Sequence, residues 1–439
     1  MTSSMVSGCH VMAKPSSSIC NLDCEYCFYL EKEKLYPEQN KNWRMDDDTL
    51  ERYIQQYIDA QMGQEVQFAW QGGEPTLMGV EFFRKVVALC AQFAGNKRIS
   101  HAFQTNGILL NDEWCELFKQ HQFLIGVSID GPPDLHDGYR VTRTKKSTHA
   151  KVMKGIEYLK KHRIEFNTLT VVHDLNAQYP EQVYRFLKQI GSRYLQFIPL
   201  VEREASATPD DTQALTLVLP SELEAKVTTW SVPSKQYGAF LNGVFDVWVK
   251  SDVGRVFVNM FDSTLATWCG HASGSCITSE TCGHAFALES NGDLYQCDHF
   301  VYPEHLLGNI HENTIKEMNN SASAKQFGAD KASTLNQDCL QCEYKFACHG
   351  GCPKHRFSVS RSGYLNHNYF CSGYTNFFKH TEPYMRLMAA LIENKQSPAH
   401  IMAIIEQQPK LLYSLFKVSK NSPCPCGSGE KFKRCCFAS

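Results

Sequence analysis

From about residue 8 to 230, short apolar runs of period two are separated by longer stretches whose apolar residues recur every three or four positions. The first kind predicts strands over Cys9 to Lys14, Val66 to Trp70, His101 to Thr105, Leu124 to Ile129, Phe166 to Val172 and Leu195 to Pro199. The second predicts amphipathic helices, among them Met45 to Met62, Glu81 to Phe93, Ala150 to His162 and Tyr179 to Ile190. A strand followed by a helix and another strand must cross over, so the repeated unit implies a parallel sheet with helices packed on it. Six strands are too few for a closed eightfold barrel, which leaves an α/β fold with an open, partial (β/α)6 barrel.

Barrel chemistry belongs at the C-terminal ends of the strands, and there the unusual residues gather. Trp70-Gln71-Gly72-Gly73-Glu74-Pro75 follows the second predicted strand, Gln104-Thr105-Asn106-Gly107 the third, and Ser128-Ile129-Asp130-Gly131-Pro132 the fourth. Paired glycines let backbone approach a ligand closely and leave amide donors free.

The chain has 439 residues, 43% of them apolar, and its 44 basic against 46 acidic residues leave a net charge of −2. That balance gives no footprint for nucleic acid or an anionic membrane. Because no run reaches the roughly 18 apolar residues of a membrane span and MTSSMVSGCH has no signal-peptide core, a cytoplasmic location is expected.

Nineteen cysteines in a reducing compartment read as metal ligands when they cluster. Cys20, Cys24 and Cys27 stand alone in CNLDCEYCFY. Three thiolates can hold three irons of a 4Fe-4S cluster and leave the fourth open to a ligand, although the triplet alone also admits a zinc knuckle short of one ligand. Cys276, Cys282, Cys297, Cys339, Cys342, Cys348, Cys352 and Cys371 form a second group, in which only the Cys339 to Cys342 gap suits a zinc ribbon. Cys424, Cys426, Cys435 and Cys436 surround a tight Gly-Ser-Gly turn at the end, a tetrahedral zinc set. Cys90 and Cys115 lie in apolar helical patterns and read as packed core thiols, while Cys9 and Cys269 also stand outside the groups.

The triplet and the Gly-Gly-Glu-Pro turn resemble the radical S-adenosylmethionine (radical SAM) superfamily, in which the open iron chelates SAM. The segments WQGGEPTL, QTNG, GVSIDGPPDLHDGYR and the stretch from Asn167 to Arg203 are similar to anaerobic sulfatase-maturating enzymes, over roughly residues 8 to 375. That resemblance implies SAM contacts at Gly72, Ser128, Arg140 and Leu200, with Tyr26 beside the cluster. The superfamily's glycine-spaced adenine motif is missing from Thr168 to Asn176, so no adenine contact is assigned.

The second cysteine group resembles the SPASM extension, which implies two further 4Fe-4S clusters: one on Cys276, Cys282, Cys297 and Cys371, the other on Cys339, Cys342, Cys348 and Cys352. The Phe286 to Tyr295 hairpin, turning at Asn291-Gly292, delivers Cys297 and Asp298. In the family an Asp at that position takes the substrate's proton, so Asp298 is the candidate base. His271, His284, His299 and His349 read as structural or exposed. The tail resembles the SEC-C zinc motif, with Lys431, Lys433 and Arg434 as a solvated face.

The expected domains are a barrel (8–230), a SPASM domain (231–375), a helical connector (376–418) and the zinc motif (419–439). The implied activity is oxidation of a sulfatase Cys or Ser to Cα-formylglycine. The substrate is then a polypeptide carrying Cys/Ser-x-Pro-x-Arg, and reduced flavodoxin or ferredoxin the electron donor. The alternative is a SPASM maturase that crosslinks a ribosomal peptide.

Overall fold

The computed structural model describes residues 8–35, 43–205, 217–218, 221–222, 225–407, 419–424 and 429–435. Its centre is a parallel sheet of β1 (His10–Ala13), β2 (Glu65–Trp70), β3 (Arg98–Thr105), β4 (Leu124–Ser128), β5 (Phe166–Val172) and β6 (Tyr194–Pro199), paired in that order. All six predicted strands are present, within a few residues of their expected ends. The crossover helices are α1 (Asp47–Ala60), α2 (Val80–Phe93), α3 (Asp112–Gln120), α4 (His149–Lys161) and α5 (Pro180–Gln189).

Local chemistry sets the ends of these helices. Asp46 caps α1 by accepting from Thr49 N at 2.8 Å, and Asn111 caps α3 by accepting from Trp114 N at 3.1 Å. On α1, Leu50, Tyr53, Ile54, Tyr57 and Ile58 form the face buried against the sheet, at the three- and four-residue spacing seen in the sequence. Cys90 and Cys115 are buried in the same core, as expected.

The sheet continues past residue 230, where the barrel was expected to stop. A short strand β7 (Phe257–Val258) pairs parallel with β6, and α7 (Asn259–Trp268) follows it. At the other edge β8 (Ala285–Leu288) lies parallel to β1, and β9 (Asp293–Tyr295) and β10 (Leu306–Asn309) follow antiparallel. The auxiliary half is therefore hydrogen-bonded into the barrel sheet at both edges, and the predicted hairpin is part of it. Backbone donors at an open sheet edge need partners, and these added strands supply them.

Two long helices close the back of the molecule: α6 (Ser234–Ser251), which follows the barrel, and α8 (Cys371–Glu393). They cross at Gly238 and Gly373, where a methyl on either glycine would run into backbone of the other helix. Among the described residues no helix is long and apolar enough to cross a membrane. Gly373→Ala forces this crossing apart, so a loss of about 1–3 kcal/mol is expected from overpacking. The urea midpoint of the variant against the parent checks it.

Candidate functional site

The C-terminal strand ends surround a cavity of about 240 Å³. Its wall brings together Cys20, Cys24, Cys27, Tyr26, Gly72, Ser128, Arg140, Leu200 and Asp298, every residue expected at the SAM and base positions. Backbone bonds help to hold the cysteine loop over the barrel. Gly73 N donates to Ser17 O at 2.7 Å and Glu74 N to Ile19 O at 3.0 Å. A Cβ at position 73 would collide with the Ile19 carbonyl, so only glycine permits this approach. Gly72 sits at φ 133°, which also favours glycine.

Glu74 borders the same cavity and is engaged by protein donors. Its buried carboxylate accepts from Thr76 N at 3.0 Å, Thr105 Oγ1 at 2.7 Å and Asn106 N at 2.7 Å, tying the end of β2 to the end of β3. Burial raises its pKa above the usual range despite those donors.

Arg140 is fixed from one side only. Its Nε donates to Asp130 Oδ2 at 3.0 Å, and Tyr26 donates its hydroxyl to the same carboxylate. Burial would raise Asp130, but the Arg140 guanidinium, with His173 and His136 behind it, holds this carboxylate below the usual range. The outer N–H groups of Arg140 and the Ser128 hydroxyl have no hydrogen-bond partner among the described residues. Gln71 Oε1 in the same wall is buried and unpartnered. A forked cation and free polar groups beside three thiols suit a ligand with a carboxylate, as SAM has.

Asp298 lies across the cavity. It forms an ion pair with Lys14, whose side chain is 2% exposed and whose ammonium stands 3.7 Å above the Tyr29 ring centre. Burial works to raise Asp298, but Lys14, His299 and Lys354 together bring its pKa below the ordinary value, so it is a carboxylate ready to accept a proton. Lys14, Lys354 and Glu202 all border the cavity, with Lys354 paired to Glu202. Sequence reasoning missed these three. A lysine ending an otherwise apolar strand was the available signal for Lys14; nothing local marked the other pair. His299, read as structural or exposed, borders the cavity, with Nδ1 3.6 Å from Cys352 Sγ.

That contact belongs to a regrouping of the auxiliary cysteines. Cys297 stands close enough to Cys352 and Cys276 to feel their charge, and Cys352 does the same with Cys276 and Cys282. Cys371 instead perturbs Cys339 and Cys348, and these three, with Cys342, line a separate cavity of about 510 Å³. The groups are therefore Cys276, Cys282, Cys297, Cys352 and Cys339, Cys342, Cys348, Cys371, so Cys352 and Cys371 exchange places relative to the expected partition. The cause is local: His349, Gly350 and Gly351 take φ of 48°, 73° and 64°, and this left-handed run turns Cys352 away from Cys348.

Burial pushes the Cys20, Cys24 and Cys27 thiols up, Cys24 to about 12, a cost that bound iron would reverse. Leu22 N lies 3.4 Å from Cys20 Sγ, the kind of donor that tunes a cluster. Among the described residues no three His, Cys, Asp or Glu side chains converge as a single metal ion requires. The triplet thiols border the cavity of about 240 Å³ and the Cys339 group the one of about 510 Å³. In the tail Cys424 and Cys435 pack around Phe432; Cys426 and Cys436 lie outside the described residues.

A partial barrel with three thiols at its mouth, joined to an eight-thiol extension, defines a radical SAM enzyme of the auxiliary-cluster class. Residues 15–187 match the radical SAM superfamily, 276–343 the iron-sulfur cluster-binding SPASM domain and 421–438 the SEC-C motif. The chain is 45% identical to a serine-type anaerobic sulfatase-maturating enzyme of Bacteroides thetaiotaomicron, over 90% of this chain and 95% of that one. To a cysteine-type enzyme of Clostridium perfringens it is 33% identical, over 85% and 96%. The solved structure of native anSMEcpe with bound AdoMet and Cp18Cys peptide superposes with a TM-score of 0.75 at 32% identity, covering 87% of this chain and 99% of that one. The chain belongs to the anaerobic sulfatase-maturating enzymes, which are radical SAM oxidoreductases.

Iron content tests the regrouping. Each 4Fe-4S cluster carries about four irons, so Cys276→Ala with Cys352→Ala is expected to lose about four, no more than either single variant. Cys276→Ala with Cys371→Ala is expected to lose about eight, and the reverse pattern would restore the original partition.

Proposed function

We propose that the chain oxidises a serine of a sulfatase polypeptide to Cα-formylglycine in preference to a cysteine, with Asp298 as the proton acceptor. The observation that carries this reading is the shared cavity. The triplet thiols, the one-sided Arg140 and the ionised Asp298 face one space, and Cys297 of the first auxiliary group is the residue next to Asp298. The serine preference is supported by the 45% identity to the serine-type relative, against 33% for the cysteine type.

Turning a primary alcohol into an aldehyde removes one hydrogen atom, one proton and one electron. A 4Fe-4S cluster held by Cys20, Cys24 and Cys27, with SAM bound, would supply removal of the hydrogen atom from Cβ. Arg140 and Ser128 would orient SAM through its carboxylate and hydroxyls, with Gly72 and Leu200 giving it close backbone approach. Tyr26, anchored on Asp130, keeps Arg140 in place. Asp298 takes the hydroxyl proton, and Lys14 holds the carboxylate in its charged form until that transfer. Cys276, Cys282, Cys297 and Cys352 would hold a second cluster beside Asp298 with capacity for one electron, and Cys339, Cys342, Cys348 and Cys371 a third.

Reduced flavodoxin or ferredoxin is the proposed electron donor, and zinc the proposed metal of the Cys424, Cys426, Cys435 and Cys436 tail. A cytoplasmic location accords with this thiol chemistry.

Asp298→Asn keeps the shape of the side chain and removes its basicity. The anaerobic, iron-reconstituted variant is expected to cleave SAM yet lose formylglycine formation by 100-fold or more, on the order expected of a general base. The parent should remove about 2 Da from a Ser-x-Pro-x-Arg peptide, two hydrogens, faster than it converts the Cys peptide. Mass spectrometry of peptide and nucleoside products reads both. Normal formylglycine yield from Asp298→Asn would remove Asp298 from the mechanism, and a faster Cys peptide would reverse the preference.

A further inference from the structure

His299 has no part in the steps above, yet it meets two thiols of the first auxiliary group. Its backbone N–H donates to Cys297 Sγ, and its ring Nδ1 lies 3.6 Å from Cys352 Sγ. The ring stands edge-on to Phe28, with centres 5.8 Å apart at 85°, and borders the catalytic cavity. An iron-bound thiolate has no hydrogen to give, so in the ring contact the hydrogen belongs to Nδ1.

A buried cation accompanies it. Lys331, on the helix Ala322–Ser333, is 1% exposed, and its Nζ donates to Cys276 O at 2.5 Å and Ile277 O at 3.1 Å. Its charge acts on Cys276, Cys282 and Cys352. Sulfurs supplied with N–H donors and a nearby cation are set to be thiolates, the form that iron binds, so these four residues fit a cluster.

The second group is furnished differently. His367 Nδ1 stands 3.8 Å from Cys339 Sγ, but Asn336 turns its Oδ1 to Cys339 N and presents its amide NH2 to that same ring nitrogen at 3.2 Å. This Nδ1 is therefore an acceptor and has no hydrogen for the sulfur. The Thr375 hydroxyl makes a longer contact, 4.0 Å from Cys371 Sγ.

We propose that His299, through its Nδ1–H on Cys352, and Lys331, through its buried charge, raise the reduction potential of the cluster held by Cys276, Cys282, Cys297 and Cys352, making it the acceptor of the substrate's electron. Both groups stabilise the extra negative charge of a reduced cluster, and hydrogen bonds to the sulfurs and local charge are what set such potentials. One electron moves. It leaves the substrate carbon as the C–O bond becomes C=O, the hydroxyl proton goes to Asp298, and the oxidised cluster is reduced by that electron. His299 is a positioning residue here, since it touches the iron ligands and not the reacting atoms. The proposal rests on the oxidation put forward above.

The test is an EPR-monitored redox titration of the full chain carrying Cys20→Ala, Cys24→Ala and Cys27→Ala, which leaves the two auxiliary clusters, about eight irons. In that chain His299→Leu and Lys331→Met are each expected to lower the same one of the two potentials, by about tenfold in the equilibrium constant, or about 59 mV. His299→Asn, which keeps an N–H donor near the Nδ1 position, should lose less than about half of that, and His367→Leu should leave both potentials in place. An unmoved potential in His299→Leu, equal falls in His299→Leu and His299→Asn, a fall as large in His367→Leu, or shifts of different clusters by His299→Leu and Lys331→Met would each overturn the proposal. Should Lys331→Met lose iron, the two His299 variants decide alone. Formylglycine is assayed separately in the chain with its triplet intact. Shifted potentials beside a parent that makes no formylglycine would count against the proposed oxidation and leave the tuning of this cluster standing.

Discussion

The parallel pairing of His10–Ala13 with Ala285–Leu288 joins the first strand of the barrel to the first strand of the auxiliary half, and the active cavity depends on it. Lys14 leaves β1 at one end of this pairing, and Glu289 leaves β8 at the same end, where it accepts from Ser17 and Tyr29. The β8–β9 hairpin then returns the chain so that Asp298, next to Cys297, faces the cavity from the auxiliary side. A slip of one residue would turn every side chain of β8 to the opposite face. Asp298 would then miss Lys14, and the barrel would hold a SAM pocket with no base.

The second constraint is charge placed where solvent is scarce. Lys14 with Asp298, Arg140 with Asp130 and Lys354 with Glu202 are three pairs gathered on one cavity, each tying a different segment to it. Such pairs contribute little net stability, because desolvation offsets most of the attraction. Their value is in geometry: Arg140 and Asp298 each have a partner on one side and border the cavity on the other. Arg140 can meet a carboxylate, and Asp298 can meet a proton, without either group having to reorganise first.

Much of this was legible in the sequence because it rests on local rules. Period two gave the six barrel strands, and the spacing of Cys20, Cys24 and Cys27 gave the open-iron site. The grouping of the eight auxiliary cysteines was not legible, since separation along the chain says little about distance in space. Cys348 and Cys352 are close in sequence, yet the left-handed run from His349 to Gly351 sends them to different groups. The place of His299 beside the cavity was not legible either, because it depends on the auxiliary half folding over the hairpin end.

What the sequence by itself determined was the inventory and its periodicity: which residues could ligate iron, which turns needed glycine, which segments had to be strands. These follow from backbone sterics and donor chemistry, both written within a few residues. The tertiary structure alone decided the adjacencies. It set Asp298 against Lys14, exchanged Cys352 and Cys371 between thiol groups, and carried the sheet beyond residue 230. Those depend on long-range strand register and on helices crossing at Gly238 and Gly373, and no short stretch of sequence contains both partners of such a contact.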